Sequence, residues 1–158
     1  MISQPFSGGA KVILVQTSFH KHYEEEYLTE FKELALSAGV KPVALIQGNR
    51  KTPDAKYFIG SGKAQEVAEA VKAHQAQQVL INHALSPSQK RNLEKLLTCP
   101  VIDRTELILH IFALRAHTFE GKLQVELAQL EYMSTQLVRG WTHLERQKGG
   151  IGLRGGPG

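Results

Sequence analysis

At 158 residues, 42% hydrophobic and 22% charged, the chain has room for one α/β domain with an appendage and lacks the composition of a disordered segment. Its greasiest run, LILHIFAL at 107–114, falls short of the roughly 18 residues of a bilayer span, and MISQPFSGGAK is no secretory signal, so a cytoplasmic protein without stable membrane insertion is expected. The net charge is +4, and Cys99 is the only cysteine, which excludes an internal disulfide or a cysteine-rich zinc site.

The chain opens with KVILVQT (11–17), whose four consecutive apolar residues predict a strand buried on both faces. HYEEEYLTEFKELALSAG (22–39) places Tyr27, Phe31, Leu34 and Ala38 at helical spacing, with Gly39 as the stop. PVALIQG (42–48) predicts a second strand and YFIG (57–60) a short third one. SGKAQEVAEAVKAHQ (61–75) predicts a helix with Val67, Ala70, Val71 and His74 on one side, and QVLINH (78–83) a further strand. SPSQKRNLEKLL (86–97) carries a helix start in Ser86, Pro87 and Gln89. CPVIDR (99–104) predicts a last short strand, and Asp103 with Glu106 caps the helix that follows. Strands and helices alternating in this order imply an α/β fold: a small parallel sheet flanked by helices, over residues 1–112.

Beyond this domain the pattern changes. Leu123, Leu127, Leu130, Leu137 and Trp141 follow a heptad seam, with Ser134 in the remaining slot. This predicts a long helical arm over 113–138, half of an antiparallel helical hairpin, whose seam needs a partner helix or self-association to cover it. Residues 139–158 then hold Arg139, Arg146, Lys148 and Arg154 against Glu145 alone, with seven of the 14 glycines. A basic, glycine-rich tip loop is expected there, pointing to a polyanionic partner. Trp141 and His143 can stack on unpaired bases while the four cations neutralise phosphates, and Gly140, Gly149, Gly150 and Gly152 let the backbone approach closely. The plainer alternative is a linker whose Trp141 only finishes the seam.

Elsewhere the residues carry little chemistry. FIGSGKAQE invites comparison with a phosphate loop, but Tyr57 stands where its first glycine belongs and Ala64 where its Ser or Thr belongs. The dinucleotide fingerprint also fails, because Gln65 replaces the third glycine. Gly60, Ser61, Gly62 and Lys63 therefore read as a strand-to-helix turn capped by Ser61, or as a weak phosphate or nucleotide site at a helix start. The histidines show no metal-ligand spacing: His20 and His22 are two apart, His110 and His117 seven apart. There is no G-x-S-x-G nucleophile motif, so no catalytic residue is assigned.

Four stretches, KYFIGSGKAQEVAEAV, HALSPSQKRNLEKLL, VIDRTELILHIFALRAHTFEGKLQVELAQLEY and LVRGWTHLERQKGGIGLRG, together resemble the N-terminal half of the HflX family of bacterial ribosome-binding GTPases. The resemblance implies an α/β domain, two long antiparallel helices, and a GTPase domain beyond these residues that holds GTP and magnesium. It further implies binding to the large ribosomal subunit and its rRNA, ribosome splitting or rescue under heat stress, and rRNA contact by the hairpin tip, here Arg139 to Arg154. Where the family reads RGPGE this chain reads RGGPG, and a truncation before the second helix is expected. The leading expectation is thus a binding module without its own cofactor. Its rival is a small-ligand or ATP-binding α/β domain with nucleotide-dependent activity of its own, built on the Gly60–Lys63 turn.

Overall fold

A computed structural model describes residues 9–19, 24–116 and 119–147, the last of these by backbone alone from residue 137. Four strands, β1 (Lys11–Ser18), β2 (Lys41–Asn49), β3 (Gln78–Ile81) and β4 (Val101–Ile102), form one parallel sheet in the order β2-β1-β3-β4. Between and after them run α1 (Glu24–Ser37), α2 (Ser61–His74), α3 (Pro87–Leu97), α4 (Arg104–Arg115) and the 29-residue α5 (Phe119–Gln147). The α/β class and parallel sheet expected from the sequence are present.

The sheet is buried on both faces because its central strands carry unbroken apolar runs, Val12–Val15 in β1 and Val79–Ile81 in β3. Alternate β1 residues serve opposite layers. Ile13 and Val15 pack with Ala64, Val67 and Val71 of α2 and with Leu93 and Leu97 of α3. Val12 and Leu14 pack with Phe31 and Ala35 of α1 and with Leu107 and Ile111 of α4. Burying each Val, Leu, Ile or Phe among them stabilises the fold by about 1.5–3 kcal/mol. The three layers place every β-to-α turn at one end of the sheet.

Local signals account for most boundaries. Ser86 and Gln89 form the expected capping box with Pro87 in the first turn of α3. Asp103 caps α4 by accepting from the Glu106 amide at 2.9 Å. Gly39 ends α1 with a φ of 81°.

Three expectations require correction. Residues 57–60 are not a sheet strand: Phe58 (φ 62°) and Gly60 (φ 89°) cannot be extended, and Asp54 and Phe58 instead close a tight isolated antiparallel bridge. The N-cap of α2 is Gly60, without a side-chain cap, so Ser61 is the first helical residue rather than the cap. Tyr27, placed among the inward α1 residues, is 53% exposed, and Ala35 takes the buried position in its stead.

Candidate functional site

The amino end of α2 lies at the carboxyl ends of β1 and β2, and two glycines shape it. A Cβ on Gly60 would overlap the Arg50 guanidinium, and one on Gly48 would stand 3.0 Å from Cε of Lys63. The turn therefore draws two cationic side chains onto bare backbone. Gly60 is also held at a positive φ that favours glycine. The first intrahelical bond runs from Ala64 N to Gly60 O at 2.9 Å, so the amides of Ser61, Gly62 and Lys63 precede it, as at any helix start. Lys63 Nζ pairs with Glu66 at 3.0 Å, and Arg50 Nε donates to the Thr52 carbonyl at 3.0 Å.

Across the sheet end, Thr17 is the register partner of Gly48. Its backbone amide donates to His83 Nε2 at 3.1 Å, and its side-chain Oγ1 is buried without a hydrogen-bond partner. His83 lies against the rings of Phe58 and Phe19, with centroids 5.0 and 5.7 Å away. Burial holds its pKa below the ordinary imidazole value, and nearby Arg104 pushes it the same way. On the opposite face, Asn82 donates to Gln16 Oε1 at 2.8 Å and accepts from Arg104 at 2.7 Å, while Arg104 also pairs with Glu30.

A second cluster anchors α5. Asp103, 1% exposed, accepts from Glu106 N at 2.9 Å, Leu85 N at 3.1 Å and Tyr132 Oη at 3.0 Å. Burial and the Asp103 carboxylate both raise the Tyr132 pKa far above the ordinary phenol value, so the hydroxyl remains a donor. Glu106 pairs with Lys90, yet its burial outweighs that cation and raises its pKa. At about 100° per residue, half-buried Val125, Ala128, Tyr132 and Gln136 share the face turned toward the domain. Leu123, Leu127 and Leu130 lie on the opposite face, 49–56% exposed, as the seam predicts.

The sequence-predicted site residues thus fall into two groups. Gly60, Ser61, Gly62 and Lys63 sit together at the α2 turn, with Ser61 and Gly62 exposed. Arg139, Gly140, Trp141, His143 and Arg146 lie on α5, which continues nine residues past the expected end at 138. Their side chains, like all of Lys148, Gly149, Gly150, Gly152 and Arg154, lie outside the described residues, as do those of Leu137 and Trp141 in the seam. Sequence reasoning missed Thr17, Gly48, Arg50 and the Asp103–Tyr132 pair, which meet only through sheet register and helix packing.

The chain contains no G-x-x-x-x-G-K-S/T, so its residues do not fit GTP in the phosphate-loop manner, and no step is assigned to that nucleotide here. Among the described residues no cluster of His, Cys, Asp and Glu could hold a metal, and no helix is long and apolar enough to cross a membrane. Cys99 is a poor nucleophile, its thiol pushed up to about 11 chiefly by burial.

Comparison with known proteins agrees with this architecture. The family model described as GTP-binding GTPase N-terminal matches residues 25–113, and the one described as GTP-binding GTPase Middle Region matches residues 115–158. The chain is 61% identical over 150 residues to the GTPase HflX of Escherichia coli K12, covering 95% of this chain and 35% of that protein. It is 50% identical over 135 residues to the GTPase HflX of Magnetococcus marinus, covering 85% and 31%. A GTP-binding protein from the archaeon Sulfolobus solfataricus, solved in complex with GDP, superposes with a TM-score of 0.62 at 27% identity, covering 90% of this chain and 42% of that one. The chain spans about a third of the length of the curated relatives it matches. It belongs to the HflX family of GTPases, and its residues correspond to that family's N-terminal domain and middle region.

Proposed function

We propose that this chain is the ribosome-directed portion of an HflX-type GTPase, in which the α/β domain docks as a rigid body and α5 carries a cationic end to the rRNA of the large subunit. The supporting observation is the 29-residue α5, roughly 43 Å long, tied to the domain by the part-buried Asp103–Tyr132 hydrogen bond and entering the basic stretch 139–158. Arg139, Arg146, Lys148 and Arg154 pair with phosphates, and Trp141 and His143 stack on bases. Gly140 sits within the helix, and Gly149, Gly150 and Gly152 let the backbone approach the RNA closely. GTP and magnesium act in a separate domain of the whole protein, where nucleotide state sets affinity for the ribosome and drives splitting or rescue under stress, in the cytoplasm.

The test is pelleting of the chain with purified large subunits through a sucrose cushion. Replacing Trp141 and His143 together by alanine should cut the bound fraction severalfold, as loss of stacking requires. Equal pelleting by the double variant would refute their role. A second reading, a small-ligand or ATP-binding α/β domain, draws on Arg50 and Lys63 gathered over Gly60 and Gly48. Calorimetry with ATP on the chain tests it, and a Lys63→Ala variant with unchanged heat would remove this turn from that role.

A further inference from the structure

In the strand order β2-β1-β3-β4 the connections after β1 and after β3 run to opposite sides, and such a reversal opens a crevice beyond the carboxyl ends of these two strands. On its α2 side stands Thr17, 3% exposed, with a buried Oγ1 that has no hydrogen-bond partner. A buried hydroxyl is costly when unpaired, so one at this place points to a group that completes it.

Its direction follows from sheet geometry. Thr17 shares the β1 face of Ile13 and Val15, which turn toward α2 and α3, and its register partner on that face is Gly48. Neighbouring strands are about 4.8 Å apart, so Thr17 is next to the Gly48 position that the Lys63 stem covers. Lys63 belongs to the first turn of α2, whose N-cap Gly60 brings no side-chain acceptor and carries Arg50 against its backbone. Apart from the Glu66 carboxylate paired with Lys63, the groups around this turn can donate: a hydroxyl, an ammonium, a guanidinium and helix-start amides. His83 adds no negative charge, since its Nε2 accepts from Thr17 N and its proton resides on Nδ1.

We propose that Thr17 Oγ1, Lys63, Arg50 and the first-turn amides of α2 form a binding site for a single phosphate group, carried by free phosphate or by a small phosphorylated molecule. Glu66 now supplies the counter-charge to Lys63 at 3.0 Å, and a bound oxyanion would take its place. The deep position of Thr17 admits one phosphate-sized group after the flexible lysine stem swings off Gly48. The site stands apart from the ribosomal reading and gives the second reading a ligand class, so its failure leaves rRNA binding untouched.

The experiment is thermal unfolding of the 158-residue chain in chloride buffer, titrated with inorganic phosphate, ribose 5-phosphate or sodium chloride at matched ionic strength, with ³¹P NMR line broadening as the binding readout. Phosphate or its ester should raise Tm above the chloride control. A tighter ester assigns the site to a phosphorylated molecule, and an equal or tighter free ion assigns it to phosphate. Thr17→Val should raise the basal Tm, because it removes an unpaired buried hydroxyl, while weakening phosphate by about tenfold. Lys63→Met should weaken phosphate to a similar degree, and Glu66→Gln should tighten it. No rise beyond chloride for either probe, or unchanged phosphate binding in both Thr17→Val and Lys63→Met, overturns the proposal.

Discussion

Tyr132→Phe removes one oxygen and leaves the ring in place, so it isolates the hydrogen bond that ties α5 to the domain. The acceptor, Asp103 Oδ2, belongs to a side chain 1% exposed, and Tyr132 Oη lies 3.0 Å from it. Two other donors remain, Leu85 N at 3.1 Å and Glu106 N at 2.9 Å, so the carboxylate loses one of three partners. A hydrogen bond to a charged group contributes about 1.5–3 kcal/mol, and the carboxylate that loses this one is itself buried. With a urea slope of about 2 kcal/mol per molar, a loss of about 2 kcal/mol lowers the unfolding midpoint by about 1 M. Equilibrium urea unfolding followed by circular dichroism reads this directly, with Tyr27→Phe on the 53% exposed Tyr27 as a control expected to stay within about 0.2 M of the parent. A Tyr132→Phe midpoint as close to the parent as that control would refute the anchoring role of the pair.

Three further outcomes are expected. Ser86→Ala removes the capping box of α3 and should cost about 1 kcal/mol in the same urea assay, while Ser88→Ala beside it should not match that loss. The apolar face of Leu123, Leu127 and Leu130 should drive concentration-dependent self-association in sedimentation equilibrium, and Leu127→Glu should abolish it; a monomeric parent at high concentration contradicts this. His83 has a folded pKa below its unfolded value, so the stability it contributes is present above about pH 6.5 and is lost as pH falls through the lower folded pKa. His110 shifts in the same direction, so His83→Gln should flatten but not remove the fall in urea midpoint between about pH 7.5 and 5.5, and an unchanged slope would refute the assignment.

Much of the fold was readable because its signals are local. Strands 11–17 and 42–48 emerge as Lys11–Ser18 and Lys41–Asn49, since unbroken apolar runs suit a sheet covered on both faces. Ser86–Gln89 and Asp103–Glu106 were legible as caps because capping spans only three residues. YFIG misled because a short apolar run shows burial without geometry: Phe58 is buried, but by packing against Phe19 and His83 rather than by strand pairing. The helix α5 runs on through Gly140, since one helical glycine costs only about 1 kcal/mol and the residues on both sides continue the helix. The turn at Gly60–Lys63 was visible, whereas its companions were not. Thr17 and Gly48 are joined by register, Arg50 reaches back over Gly60, and Tyr132 finds Asp103 across 29 residues.

The central claim is that the end of α5 grips ribosomal RNA through charge. Its most direct measurement is co-sedimentation of the chain with large ribosomal subunits across a salt series, comparing the parent with a variant in which Arg139, Arg146, Lys148 and Arg154 are alanine. Affinity of the parent should fall steeply with salt, and loss of four phosphate contacts should flatten the log–log slope by roughly 3. Salt-independent binding by the parent, or the same slope and affinity in both proteins, would contradict it.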